Sequence, residues 1–347
     1  MAMCGIVNTN LKLLSSCIKQ SFYFQPVRNF RNWEIAKMMI MKKRRKIAGP
    51  PPVVPRSMWL TWNRTSEIFA FGKRLNEEFK EETLETVFTH QSYITKEEKK
   101  RENLEVSSQD LALKLVDNSV LISEGTAIMT RYIMAYLRHV FPFLPEEGIC
   151  AIHDYLMSED VLSHVSFNIG TEELILCEEE PPSKSTLANT LKAIIGAIQR
   201  DQNLYKAEIF VQDFILTQLI GKDIQEMWKI SNPMLMLSSI IERQGKLPES
   251  RLLWKAGTNT IFAVYHVGIY CDKVLLGKGP GETIKEAVDV AARDALNKMF
   301  HITPGSFSLP FGDKGHKLEL DKEKINVPLL EWTSTSIKDN TRKIAYS

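Results

Sequence analysis

The sequence predicts an α+β protein of several parts: an all-α domain followed by a smaller domain in the order α-β-β-β-α. Three observations lead there. Apolar residues recur at helical spacing from Ser66 to about Gly221. From Leu252 to Gly277 the pattern changes to short alternating stretches, bracketed by helical ones at Asn232–Ile241 and Thr283–Phe300. Finally, 347 residues with 44% apolar side chains are enough for two cores and flanking extensions.

The net charge of +2 hides an asymmetry. Residues 1–58 hold eleven Lys or Arg against one acid, Glu34; they carry +10 and leave −8 on the remainder. Residues 1–33 contain no acid, but have Lys12, Lys19, Arg28 and Arg31 among Leu, Ile, Ser and Phe. That is the make-up of a mitochondrial transit peptide, with a matrix destination; a disordered tail is the plainer reading. Polar residues interrupt every apolar run too early for a secretory signal. In the basic extension, 34–65, Lys42, Lys43, Arg44, Arg45 and Lys46 precede Pro50-Pro-Pro-Val-Val-Pro55. We read an extended arm that touches phosphates; a nuclear localisation signal and plain solvated charge are the other readings. No apolar stretch approaches the roughly 18 residues that span a membrane.

The helical domain is expected over 66–222. Ser66 is placed to cap a helix carrying Ile68, Phe69, Leu75 and Phe79. Leu84-Glu-Thr-Val-Phe-Thr-His-Gln-Ser-Tyr93 follows, with His90 as a packed or hydrogen-bonded core residue rather than a catalyst. Lys96–Gln109 is charged and reads as a solvated insertion. Asn118-Ser-Val-Leu-Ile-Ser-Glu-Gly-Thr-Ala-Ile-Met129 opens a helix that reaches Phe141-Pro-Phe-Leu-Pro145. Ser158–Ser166 is a further amphipathic helix. Ser185 is placed to cap the next one, whose apolar stripe is Leu187, Leu191, Ile194, Ile195 and Ile198.

These segments resemble ribonuclease III. Its opening motif reads Leu-x-x-Ala-Phe-Thr-His-x-Ser-Tyr, and its signature reads Asn-Glu-Arg-Leu-Glu-Phe-Leu-Gly-Asp-Ala-Val-Leu. Asn118, Leu121, Gly125 and Ala127 match the signature, while its three acidic positions hold Ser119, Ile122 and Thr126. Asn103-Leu-Glu-Val106 imitates the motif, but Asp110 comes one residue too late after Glu105 for both carboxylates to share a helix face. Tyr136 and Phe141–Pro145 fix the later register. Ala193-Ile-Ile-Gly-Ala197 resembles the family's last core helix, where an acid pair completes the site; here those positions hold Asn189 and Lys192.

The resemblance implies two-metal phosphodiester hydrolysis for active members, with carboxylates holding Mg²⁺. None of Ser119, Ile122, Thr126, Asn189 and Lys192 is a carboxylate, so no metal, no cofactor and no nuclease activity are expected. A unit charge pair about 4 Å apart at an effective dielectric near 20 is worth roughly 4 kcal/mol, so Lys192 would repel a divalent ion. Lys192 reads as a surface lysine, as part of a local salt bridge, or as a cation holding a phosphate or carboxylate in place of the metal. Glu124, two residues from both Ile122 and Thr126, belongs to another helix face.

Residues 229–302 resemble a double-stranded RNA-binding domain, most specifically at Gly277-Lys-Gly-Pro-Gly281, Lys285-Glu-Ala287 and Ala291-Ala292. A dinucleotide reading of these glycines fails, because it needs a parallel βαβ unit. Family contacts to A-form RNA come from three surfaces. Here the first helix offers Ser238 and Ser239. The strand loop is Gly257-Thr-Asn-Thr260, without the family's His. Of three lysines opening the last helix only Lys285 remains. Weak free duplex binding is expected, carried by Arg243, Lys278, Lys285 and the basic arm. Residues 303–347 read as a mixed, polar C-terminal extension. The five cysteines, at 4, 17, 150, 177 and 271, form neither a zinc pattern nor a disulfide framework, which suits a reducing compartment.

The whole combination resembles the ribonuclease III-like proteins of the mitochondrial large ribosomal subunit, notably at Asp223–Pro233 and Val267–Lys273. That implies a structural role without turnover, with ribosomal RNA and other mitochondrial large-subunit ribosomal proteins as partners. It also implies a dimer through the helical domain, with a second copy or another ribosomal protein. A free mitochondrial RNA-binding or assembly factor is the alternative, and an active endoribonuclease the more distant one.

Overall fold

The computed structural model describes residues 32–49, 59–103, 115–179, 181–258, 260–303 and 308–333. The chain divides into two compact units, Met1–Pro55 and Arg56–Ser347. In the first, α1 (Asn32–Ala48) carries Lys42, Lys43, Arg44, Arg45 and Lys46 in its last turns, all exposed. The expectation of an extended arm is corrected at these positions. Ala, Met, Lys and Arg are strong helix formers, and no Pro or Gly interrupts them before Gly49. The transit-like residues up to Arg31 and the proline run 50–55 lie outside the described residues.

The second unit opens with α2 (Arg64–Leu75), α3 (Glu81–Val87) and α4 (Gln91–Asn103). It continues through α5 (Ser119–Val140), α6 (Glu146–Leu156), α7 (Glu159–Ile169), α8 (Lys184–Asp201) and α9 (Leu204–Phe214). Two starts fall earlier than expected. Asn63, not Ser66, caps α2 by accepting from the Thr65 amide at 3.1 Å. Ser183, not Ser185, caps α8 by accepting from the Thr186 amide at 3.3 Å. Each region offers several short polar side chains, and composition alone does not choose among them. The expected insertion at Lys96 is helical as far as Asn103, with the ion pair Lys100–Glu97 on its surface. The remainder of that stretch and of the imitation motif, 104–110, lies outside the described residues.

The helical core is organised by α5 and α8. Leu121, Met129, Ile133 and Tyr136 from α5 and Leu191, Ile194, Ile195 and Ile198 from α8 are essentially fully buried. Two glycines set how closely the helices approach. A Cβ on Gly125 would lie 1.9 Å from the Lys192 carbonyl oxygen, and one on Gly196 would lie 2.4 Å from that of Leu121. Backbone therefore meets backbone at this crossing, which no other residue permits.

A 3₁₀ turn (Leu216–Leu219) and the short α10 (Ile224–Met227) lead to α11 (Pro233–Glu242). Then come β1 (Glu249–Ala256), β2 (Val264–Cys271), β3 (Val274–Gly281) and α12 (Ile284–Met299). The strands form an antiparallel sheet in the order β1-β2-β3. This meander excludes the parallel dinucleotide unit, and the glycine motif has a different cause. Gly277, Gly279 and Gly281 share one face of β3 by strand periodicity. A Cβ on any of them would come within 2.4 to 2.6 Å of the α12 backbone at Ala291 or Ala287. Small residues on both sides, with Ala287, Ala291, Ala292 and Ala295 all buried, let the helix lie directly on the strand. Thr283 and Glu286 close a capping box at the start of α12.

The C-terminal extension is corrected from a loose polar tail to a packed segment over 308–333, which includes α13 (Asp313–His316). Trp332 is 3% exposed and meets Phe300 edge to face, with ring centroids 5.0 Å apart. Asn326 is buried, and its amide donates to the carbonyls of Phe141 and Leu144 at 2.9 Å each. Residues 334–347 lie outside the described residues.

The crossing yields a sign test. In a helix, Gly→Ala ordinarily stabilises by about 1 kcal/mol. We predict that Gly125→Ala instead destabilises by about 2–3 kcal/mol, because overpacking forces α5 and α8 apart. Denaturant unfolding of the full chain reads this directly, and a stabilised variant would contradict the backbone contact.

Candidate functional site

The positions that the sequence aligned with ribonuclease III ligands lie on α5 and α8, the two helices that cross at Gly125 and Gly196. Ser119 is the first residue of α5 and exposed, whereas Ile122, Thr126, Asn189 and Lys192 are half-buried. Ile122 packs against the helical core. The Thr126 hydroxyl donates to the Ile122 carbonyl at 2.7 Å, so its hydrogen is turned back on its own helix. Lys192 makes no ion pair among the described residues. Glu124 reaches across to Arg200 of α8 at 2.7 Å, on the partly exposed rim of the crossing. The separate face that helix geometry gave it is thus occupied.

These residues do not suit Mg²⁺, which needs hard oxygen donors with anionic anchors. One side chain is a hydrocarbon, one an ammonium, and the remaining three are neutral. Among the described residues, no group of three or more His, Cys, Asp and Glu side chains could hold a metal ion.

Around the site the motif residues do structural work. Asn118 is buried, and its amide donates to the Val87 carbonyl at 3.1 Å, tying the start of α5 to the end of α3. Phe88 packs edge-on against Phe71. His90 Nδ1 accepts from the Ser92 amide at 3.3 Å and lies 2.8 Å from its hydroxyl, at the entrance to α4. This is the hydrogen-bonded histidine expected of that motif. Tyr132 donates to Gln212 and Tyr136 to the Pro310 carbonyl, both at 2.9 Å, and burial pushes both phenols well above their ordinary range.

The RNA-facing candidates of the sheet domain are scattered. Lys278, on β3, is exposed, and its backbone amide donates to Asp294 at 3.0 Å. Lys285 is exposed on the first turn of α12, with Glu282, Glu286 and Asp289 close to it in sequence. Arg243 is exposed, and one guanidinium nitrogen, Nη1, donates to the Leu329 and Trp332 carbonyls at 2.6 and 3.5 Å. Ser238 and Ser239 spend their hydroxyl hydrogens on the carbonyls of Leu235 and Met236. The strand loop closes on itself, Thr260 donating to the Gly257 carbonyl through both its amide and its hydroxyl. Sequence reasoning missed the tail that claims Arg243. Its signal was the recurrence of Leu309, Phe311, Leu318, Leu320, Val327, Leu329 and Trp332 among polar residues.

Comparison with known proteins fits both parts of this picture. Residues 63–198 match the family model described as large ribosomal subunit protein mL44, endonuclease domain. Residues 228–333 match the one described as MRPL44 dsRNA-binding domain. Together the two span more than two thirds of the chain.

The chain belongs to the mL44 family of ribonuclease III-like proteins.

It is 28% identical to the large ribosomal subunit protein mL44 of Caenorhabditis elegans over 320 residues, which cover 90% of this chain and 80% of that protein. It is 30% identical to ribonuclease 3 of Symbiobacterium thermophilum over 188 residues, 51% of this chain and 77% of that enzyme. Ribonuclease 3 of Enterococcus faecalis is 27% identical over 224 residues, 62% of this chain and 90% of the enzyme. Among solved structures, the nuclease domain of ribonuclease III from Campylobacter jejuni shares 22% identity. That match covers 47% of this chain and 99% of that one, with a TM-score of 0.35. The mL44 dsRNA-binding model runs to residue 333, so it includes the packed tail.

The basic residues separate by their effect on salt dependence. Each phosphate contact contributes about −0.9 to the slope of log affinity against log salt on duplex, and somewhat less on single strands. In the full chain, Lys278→Gln with Lys285→Gln should flatten the RNA-binding slope by no more than about two. Replacing Lys42–Lys46 with Gln should flatten it by about four. Filter binding across a salt series measures both, and the reverse ranking would move the main RNA contact to the sheet domain.

Proposed function

We propose that this chain is a structural constituent of the mitochondrial large ribosomal subunit and supports mitochondrial translation without turning over a substrate. The observation that carries the proposal is a pairing. The chain belongs to the family of a large-subunit ribosomal protein, and the five ligand positions of its nuclease-like domain hold Ser119, Ile122, Thr126, Asn189 and Lys192. A nuclease has no use for that set, whereas an RNA-contacting scaffold needs only the fold.

In this reading residues 1–33 are a transit peptide that delivers the chain to the matrix, and 34–65 form a basic extension. Residues 66–222 are the catalytically dead nuclease-like domain, and 229–302 the double-stranded RNA-binding-like domain, followed by the C-terminal extension 303–347. Ribosomal RNA is met by the positive charge of Lys42–Lys46, Lys278 and Lys285. Neighbouring ribosomal proteins, or a second copy of the chain, cover apolar side chains left exposed on the helical domain, such as Phe69, Val120 and Phe167. Coverage of this kind suits the −8 carried by residues 59–347 better than a free RNA binder would.

Two measurements decide it. In sucrose gradients of mitochondrial lysate the protein should stay with the large subunit at salt concentrations that strip loosely bound factors. Its release into the soluble fractions would instead make it a free RNA-binding or assembly factor. Purified protein should leave double-stranded RNA intact in Mg²⁺; cleavage abolished by Glu124→Gln would contradict the proposal.

A further inference from the structure

The nuclease-like and sheet domains are joined by a short link, Gly221–Asn232, and then a second time by the tail. The tail first follows the helical domain. The Pro310 carbonyl accepts from Tyr136 at 2.9 Å and from Gln212 at 3.2 Å. His316 meets Asp213 at 3.0 Å and Lys322 meets Glu208 at 2.5 Å. Asn326 fills the corner after α5, where its amide binds two carbonyls and its backbone N–H donates to Glu146 at 3.1 Å.

The tail then crosses to the sheet domain. The Leu329 amide donates to Glu147 of α6 at 2.9 Å, while the Leu329 carbonyl accepts from Arg243, which follows α11. Trp332 makes the junction in one side chain. Its indole N–H donates to the Phe143 carbonyl of the helical domain at 3.0 Å, and its ring lies edge-on to Phe300 at the end of α12. Trp228, in the link, packs on the other side of this cluster, 5.7 Å from Phe300.

We propose that residues 308–333 form an intramolecular strap that fixes the sheet domain on the nuclease-like domain at one angle. The link alone is short but has few buried side chains, and a domain held only by such a link would pivot. With the strap in place, Lys278 and Lys285 keep a set position relative to the helical domain. The fixing does not depend on the RNA reading, so either can fail alone. Arg243 is a positioning residue in this account: it holds the strap's carbonyls rather than a phosphate.

The test compares the full chain with full-chain Asn326→Ala and Trp332→Ala variants by hydrogen exchange resolved to segments. The hydrogen bonds of Asn326 go to Glu146, Phe141 and Leu144 of the helical domain, so its loss removes no hydrogen bond of the sheet. In both variants the amides of the link around Ile224–Trp228 should exchange about tenfold faster or more, because sub-global opening is then easier, while β2 and α12 keep their protection. Unchanged link protection in both variants would overturn the strap. Loss of protection in β2 and α12 together with the link would also overturn it, by making the tail part of the sheet domain's core.

Discussion

The contact on which the structure depends is the backbone crossing of α5 and α8 at Gly125 and Gly196. It sets the separation of the two longest core helices and so fixes which side chains can fill the space around them. A wider crossing would leave Leu121, Met129 and Ile133 without close partners, and voids of that kind are costly in a dense interior. The same crossing places positions 122 and 126 beside 192.

What occupies that place follows from charge and solvation. Five carboxylates around a metal are stable only with the metal; without it they repel one another and must take up protons or water. Ser119, Ile122, Thr126, Asn189 and Lys192 carry no such repulsion and need no metal counter-ion between α5 and α8. Thr126 bonds its own helix and Ile122 packs against the core, both of them half-buried. Glu124 is paired with Arg200 at the rim. As an exposed pair this contributes little to stability, in the range of about 0–1 kcal/mol.

Much of this was legible in the sequence, for identifiable reasons. The stripe Leu187–Ile198 and the signature Asn118–Met129 carry strong periodicity, and Leu121 and Gly125 of the signature are buried, whereas Ala127, also expected to pack, is exposed. The glycine motif of β3 was read correctly as part of the sheet domain, although its cause, alternate glycines under the alanines of α12, needed coordinates. Helix starts at Asn63 and Ser183 were missed because neighbouring Ser and Thr residues make equally good caps in isolation. The basic segment is helical where a proline run suggested extension, since Pro50 limits only the residues close to it. The largest omission was the tail. Its apolar residues follow neither helical nor strand spacing, because they pack as single anchors along an irregular path, and periodicity cannot see such a path. The partners of Arg243 were hidden for the same reason: they are backbone carbonyls almost ninety residues away.

The central claim is that the nuclease-like scaffold keeps its geometry while its side chains no longer hold metal. Mn²⁺ binding followed by electron paramagnetic resonance tests this most directly, comparing the unaltered chain with a variant carrying Ser119→Glu, Ile122→Glu, Thr126→Asp, Asn189→Asp and Lys192→Glu. The account predicts no specific Mn²⁺ site in the unaltered chain and a site in the substituted one, provided that it still unfolds cooperatively. Specific binding by the unaltered chain, abolished by Glu124→Gln, would contradict it, as would a folded variant unable to bind the ion.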